Sequence, residues 1–243
     1  MKEDSGQHFM ADTELIKRIV KYAKIRKGET VLEIGAGKGA LTKELAKKAK
    51  VVAVETDESF RDELKEIENA EFHFCDAIMF LKENRKFDRI VANIPYMISE
   101  PLLNALKNVE FKLAVLTVGS NFAQILIGEK EAKLSITMPL FFEIKKLEDV
   151  SKEAFTPMPR TDSAVIEIKL RKKIGKNEEA LRDFLTQEDK LAKNALRETL
   201  TRHNKMTKRE AKEMIEKMEM KLEKNLKLLS LEEIKKIKEI LIA

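Results

Sequence analysis

From Asp12 to about Ile127, short apolar runs alternate with segments whose apolar residues recur three and four positions apart. Residues 30–34, 51–55, 71–74, 87–92 and 112–118 read as strands, several of them apolar throughout. Between them, Leu15, Ile16, Ile19, Val20 and Ala23 share one helical face behind a capping Asp12, and Leu41, Leu45 and Ala49 share another. Further helices are expected to begin near Asp57 and Ser99. This rhythm predicts an α/β fold built on a parallel sheet covered on both faces. Residues 134–150 fit either element, and 164–170 alternate as a last strand. After the basic stretch 171–176 everything reads as amphipathic helix without proline. The expected organisation is therefore a domain over 1–172 and a small helical domain over 176–243.

The first strand runs into Gly35-Ala36-Gly37-Lys38-Gly39, and a helix follows. Strand, glycine turn and helix bring backbone N–H groups and a helix N-terminus against a ligand that side chains would block. The second strand ends in Glu55, twenty residues past Gly35, the offset at which an acid grips a ribose. A nucleoside-containing cofactor follows from this pair. Gly35, Gly37 and Ala40 satisfy the nicotinamide fingerprint, and S-adenosylmethionine enzymes use a similar loop, so the loop leaves both open.

Asn93-Ile94-Pro95-Tyr96 stands at the end of another strand, where open α/β sheets place their chemistry. An exocyclic adenine amine is a poor nucleophile because its lone pair is delocalised into the ring. The Asn93 amide oxygen and the Ile94 carbonyl can accept its N–H bonds. Pro95 holds the preceding residue extended, and Tyr96 offers a face on which a base can stack.

Asn93 to Tyr96 resembles the Asn/Asp–Leu/Ile/Pro–Pro–Tyr/Phe signature of methyltransferases acting on nucleobase amino groups. Gly6-Gln7-His8-Phe9-Met10, the Phe-x-Pro-x-Pro-x-x-x-Ser segment from Phe155 to Ser163, and Leu229-Ser230-Leu231-Glu232-Glu233-Ile234 narrow it. Together, and in family order along nearly the whole chain, they resemble the ribosomal RNA adenine dimethyltransferases. The resemblance implies a Rossmann-like class I methyltransferase sheet with a small C-terminal all-helical domain. It implies S-adenosylmethionine as cofactor and the N6 amine of small-subunit ribosomal RNA adenines as target, within a partly assembled subunit. His8, Met10, Gly35, Gly37, Glu55, Asp76 and Asn93 fall on cofactor-binding positions. Asn93, Ile94, Pro95, Tyr96 and Phe155 fall on the catalytic ones, with Tyr96 and Phe155 flanking a flipped base.

Composition adds bounds. No apolar run is long enough to span a bilayer and no signal-peptide core opens the chain, so a cytoplasmic protein without a membrane partner is expected. One cysteine, Cys75, cannot form an internal disulfide. Three scattered histidines, His8, His73 and His203, give no metal-ligand spacing, so no metal site is expected. A net charge of +5 mildly favours an anionic partner, and a monomer is expected. The chain departs from the family pattern in the stretches 118–124 and 131–135 and in the helical part, where Glu188 and Asp189 stand where the resemblance implies basic, phosphate-contacting residues. That leaves a second reading, an RNA-binding assembly factor that kept the fold without the chemistry. A nicotinamide oxidoreductase is a third, which leaves Asn93 to Tyr96 unexplained.

Overall fold

The computed structural model describes residues 7–218 and 220–242. Their contacts divide them into two compact units: residues up to 129 together with 142–170, and residues 130–141 together with 171 onwards.

The first unit holds nine strands: β1 (Phe9–Met10), β2 (Thr30–Ile34), β3 (Lys50–Glu55), β4 (Ala70–Phe74), β5 (Arg89–Asn93), β6 (Leu113–Gly119), β7 (Phe142–Val150), β8 (Phe155–Thr156) and β9 (Ser163–Leu170). Six helices belong to it: α1 (Thr13–Tyr22), α2 (Ala40–Ala46), α3 (Arg61–Leu64), α4 (Ala77–Glu83), α5 (Ser99–Leu106) and α6 (Ser120–Leu126). Seven strands form one sheet in the order β4-β3-β2-β5-β6-β9-β7. The first five in that order are parallel, and β9 and β7 join antiparallel. The sheet is thus mixed where the alternation predicted a parallel one. The return from β6 to β7 passes through α6 and a further short helix, and the direction of β7 and β9 is set by their pairing partners, which alternation does not announce. The doubtful stretch 134–150 resolves into a short helix followed by β7.

Burial explains the strands. Val31, Leu32 and Ile90 are fully buried, as strands covered on both faces require. On α1, Leu15 and Ile19 turn into the core, each contributing about 1.5–3 kcal/mol by leaving water. Asp12 starts that helix by accepting from the Glu14 and Leu15 N–H groups at 2.9 and 3.0 Å. Such a cap is worth about 0.5–2 kcal/mol. The helix expected to reach Ala49 ends at Ala46.

The second unit is helical, with α7 (Lys133–Thr137), α8 (Lys176–Thr186), α9 (Ala192–His203), α10 (Lys208–Lys217) and α11 (Leu231–Ile242). Phe184, Leu196, Leu200, Ile234 and Ile237 are among its fully buried side chains. Residues 130–141 group with these helices: Arg171 donates to the Pro139 carbonyl at 2.8 Å, and Lys133 to that of Lys227 at 2.8 Å. His203 Nε2 lies 3.2 Å from Asp183, tying α9 to α8.

Candidate active site

The C-terminal ends of β2, β3, β4 and β5 open onto a cavity of about 430 Å³. Its glycine wall is shaped by backbone geometry. Gly37 has φ 52° and Gly39 φ 77°, in the left-handed region where a side chain is strained. A Cβ on Gly37 would lie 3.0 Å from the Phe9 ring, and one on Gly39 2.6 Å from Ile67 Cδ1. The loop is thus closed against its neighbours. Gly35 donates its N–H to the Val54 carbonyl at 2.8 Å, which keeps the turn flush with β3.

Glu55 finishes β3 inside this wall, only 6% exposed. Its Oε2 accepts from the Gly37 N–H at 2.8 Å, and Oε1 from the N–H groups of Thr56 and Asp57 at 2.8 and 2.9 Å. The carboxylate is fixed by backbone donors, and Oε2, with one protein donor, keeps acceptor capacity for a ligand hydroxyl. Past β4, Asp76 Oδ1 caps α4 through the Met79 N–H at 2.9 Å while the residue lines the cavity. Burial pushes the neighbouring Cys75 thiol up, and the Asp76 charge adds to the shift.

Segments far apart in sequence close the other side. β1 pairs antiparallel with β8, setting Phe9 opposite Thr156 and Met10 opposite Phe155. His8 Nδ1 donates to the Pro157 carbonyl at 2.8 Å. Phe9 meets Phe60 edge-on at 5.6 Å, beneath Lys38 Nζ at 5.4 Å. Asn93, at the end of β5, donates Nδ2 to the His8 carbonyl at 3.0 Å. Its amide oxygen is the end left to accept. The Ile94 N–H goes to the Thr117 carbonyl at 3.0 Å, which fixes the backbone of the tetrapeptide.

The cavity therefore gathers His8, Met10, Gly35, Gly37, Glu55 and Asp76 with Asn93, Ile94, Pro95 and Phe155. The Tyr96 side chain, like Gly6 of the opening motif, lies outside the described residues. Phe155 is 4% exposed and packs in the hydrophobic core while it lines the cavity. His73, outside this set, contacts Glu71 at 3.1 Å. Glu33 is a lining residue that sequence reasoning passed over. It is fully buried, with the Thr42 hydroxyl as a polar neighbour that falls short of good hydrogen-bond geometry. Burial pushes its carboxyl up to about 8; the Thr42 hydroxyl opposes this and the Glu55 charge adds to it. Its signal was a lone acid inside an otherwise apolar strand. No group of three or more potential metal ligands occurs among the described residues.

A glycine loop after the first parallel strand, an acid ending the next and a strand-end amide beyond them define an S-adenosylmethionine-dependent methyltransferase. The cavity suits that donor. Its glycine wall admits a nucleoside, and Glu55 keeps acceptor capacity for a ribose hydroxyl. Residues 1–242 match the family Ribosomal RNA adenine dimethylase. The chain is 36% identical over 197 residues to ribosomal RNA small subunit methyltransferase A of Thermotoga maritima, covering 76% of this chain and 69% of that one. It is 38% identical over 172 residues to the probable ribosomal RNA small subunit methyltransferase A of Methanococcus aeolicus, covering 67% and 64%. Among solved structures, a dimethyladenosine transferase from Plasmodium falciparum superposes with TM-score 0.66 at 26% identity, over 95% of this chain and 96% of that one. The 23S rRNA methyltransferase ErmE shares the fold, with TM-score 0.63 at 24% identity over 97% and 100%. The chain belongs to the ribosomal RNA adenine dimethylase family, and its cofactor is S-adenosylmethionine. The oxidoreductase alternative is set aside.

Proposed function

We propose that the protein dimethylates the N6 amine of adenines in small-subunit ribosomal RNA, acting as a cytoplasmic monomer on a partly assembled subunit. The observation that carries this reading is the Asn93 amide, whose nitrogen is held by the His8 carbonyl at 3.0 Å. Its oxygen is thereby turned to accept an N–H, which suits an amine as the group to be methylated. Bound S-adenosylmethionine supplies an activated methyl on a sulfonium. The protein's part is to position. Glu55 holds the ribose, and Asp76 accepts from the donor's adenine amine. His8 and Met10 flank the methionine end, and Gly35 and Gly37 give the nucleoside close backbone approach.

For the acceptor, Asn93 Oδ1 and the Ile94 carbonyl take hydrogen bonds from the target amine and aim its lone pair at the methyl group. Pro95 keeps Ile94 extended, and Tyr96 and Phe155 clamp the flipped ring. Most of the acceleration comes from alignment, since the donor is already activated. The amine's proton leaves to solvent after transfer. The helical unit supplies ribosome contacts. The test is incubation with labelled donor and small-subunit particles lacking the modification, followed by digestion to nucleosides. Dimethyladenosine is the expected product, and label confined to any other nucleoside contradicts the proposal.

A further inference from the structure

Met97 is the most exposed large apolar side chain among the described residues, at 88%, and it lines the cavity one residue past Tyr96. Its backbone is fixed. The turn Tyr96–Ile98 is closed by the Ile98 N–H on the Pro95 carbonyl at 3.0 Å, behind an Ile94 N–H held by Thr117. Met158, 57% exposed, follows Pro157, whose carbonyl is held by His8 at 2.8 Å, and precedes the buried Pro159. The bond from Asn93 to the His8 carbonyl joins these two segments, so both thioethers stand on chain that closes one cavity. A single exposed methionine is ordinary on a surface. Two on fixed segments beside one cavity offer long, polarisable apolar chains that gain contact only when a flat apolar partner covers them. Lys38, exposed on the same cavity with Nζ over the Phe9 ring, adds positive charge suited to a polyanion. An RNA strand delivering a base into the cavity meets both needs.

We propose that Met97 is a wedge: its side chain enters the base step that the target adenine vacates. The proposal rests on the cavity taking a flipped adenine. Extracting a base breaks its stacking on both faces and leaves a gap in the strand. Apolar side chains, methionine among them, enter base steps and hold them apart. The unbranched Met97 chain has three rotatable bonds with which to follow the gap, and its sulfur makes favourable contacts with aromatic rings. Filling the gap lowers the free energy of the extruded state relative to the stacked one. The adenine therefore spends more time within reach of Asn93. Exposure in the protein without RNA follows, because the surface that covers Met97 forms only when a base has left its stack.

The experiment places 2-aminopurine, a base whose fluorescence rises on unstacking, at the target adenine of small-subunit particles, and follows methylation on matched particles carrying adenine. With the full-length parent and donor, binding should raise the fluorescence. Met97→Ala should lower that rise and slow single-turnover methylation by roughly tenfold or more, the worth of one stacking contact. Calorimetric affinity for S-adenosylmethionine and the melting temperature should stay at parental values, because so exposed a side chain packs against little. Met97→Leu, apolar and of similar volume, should restore both signals. On particles with an abasic site beside the target, where stacking is already lost, parent and Met97→Ala should methylate at similar rates. A parental fluorescence rise and rate in Met97→Ala overturns the wedge. So does a loss that Met97→Leu or the abasic neighbour fails to repair, or one accompanied by weakened donor binding, which would set Met97 against the cofactor. No fluorescence rise with a parent that methylates the adenine particles overturns the flipped-base reading along with the wedge.

Discussion

Asn93 and His8, eighty-five residues apart, are joined by a hydrogen bond of 3.0 Å from the Asn93 amide nitrogen to the His8 carbonyl. The bond decides which end of the amide is available for chemistry. It also ties the N-terminal segment into the cavity wall, because His8 is itself anchored to the Pro157 carbonyl at 2.8 Å. Three motifs separated along the chain are thus linked in series, through the Asn93 amide nitrogen, His8 and the Pro157 carbonyl.

Glu55 should dominate cofactor affinity. Charge-assisted hydrogen bonds to ribose hydroxyls contribute roughly 1.5–3 kcal/mol each. Glu55→Ala also frees the Gly37 N–H that the carboxylate now holds at 2.8 Å, loosening the loop. Calorimetry should show S-adenosylmethionine binding weakened by one to two orders of magnitude. Unchanged affinity would remove Glu55 from the site.

Phe155 needs a milder substitution than alanine. Buried at 4% exposure, it would cost about 3–5 kcal/mol of stability if truncated to Ala, obscuring any effect on the base. Phe155→Leu keeps most of the packing and removes the aromatic face. The expected result is a raised KM for RNA, by roughly 1–3 kcal/mol, with unaltered donor affinity and near-parental melting. A parental KM in that variant argues that Phe155 serves the core alone.

Glu33 should cost the empty protein stability at neutral and alkaline pH. Its folded value of about 8 lies above the ordinary 4.5. The folded state therefore binds the extra proton, and the associated stability is complete below pH 4.5 and lost as pH rises through 8. Urea unfolding of the cofactor-free protein should find Glu33→Gln more stable than the parent at pH 8.5, by on the order of a few kcal/mol, and nearly equal at pH 4.5. A pH-independent difference contradicts a neutral Glu33.

Glu188 and Asp189 set the expected behaviour toward RNA. Glu188 is paired with Lys227 at 3.0 Å, which neutralises a cation of the helical unit. Naked RNA should bind weakly, with a shallow dependence on salt. Glu188→Arg combined with Asp189→Arg should tighten that binding and steepen the slope, without improving modification of the assembled particle. Equal activity of the parent on stripped RNA and on the particle would contradict this.

Much of the fold was legible because its signals are local. The Asp12 cap, the apolar strands β2 and β3, and the glycine turn each follow from a few adjacent residues. The antiparallel placement of β7 and β9 was not legible, because strand direction is set by pairing partners and not by alternation. The grouping of residues 130–141 with the helical unit rests on contacts with Arg171 and Lys227, which no spacing reveals. In the site, Glu55 was marked by its offset of twenty residues from Gly35 and Asn93 by its place at a strand end. Glu33 sat in plain view within 30–34, yet its meaning depends on burial, which only the packed structure displays.

The central claim is that Asn93 aligns an adenine amine for methyl transfer. The most direct measurement is single-turnover methylation of small-subunit particles by Asn93→Ala, beside calorimetric binding of S-adenosylmethionine to the same variant. Removing a group that acts chiefly in the transition state should depress the single-turnover rate far more than donor affinity, by at least about a hundredfold. A rate matching the parent, with particles dimethylated normally, would contradict the account.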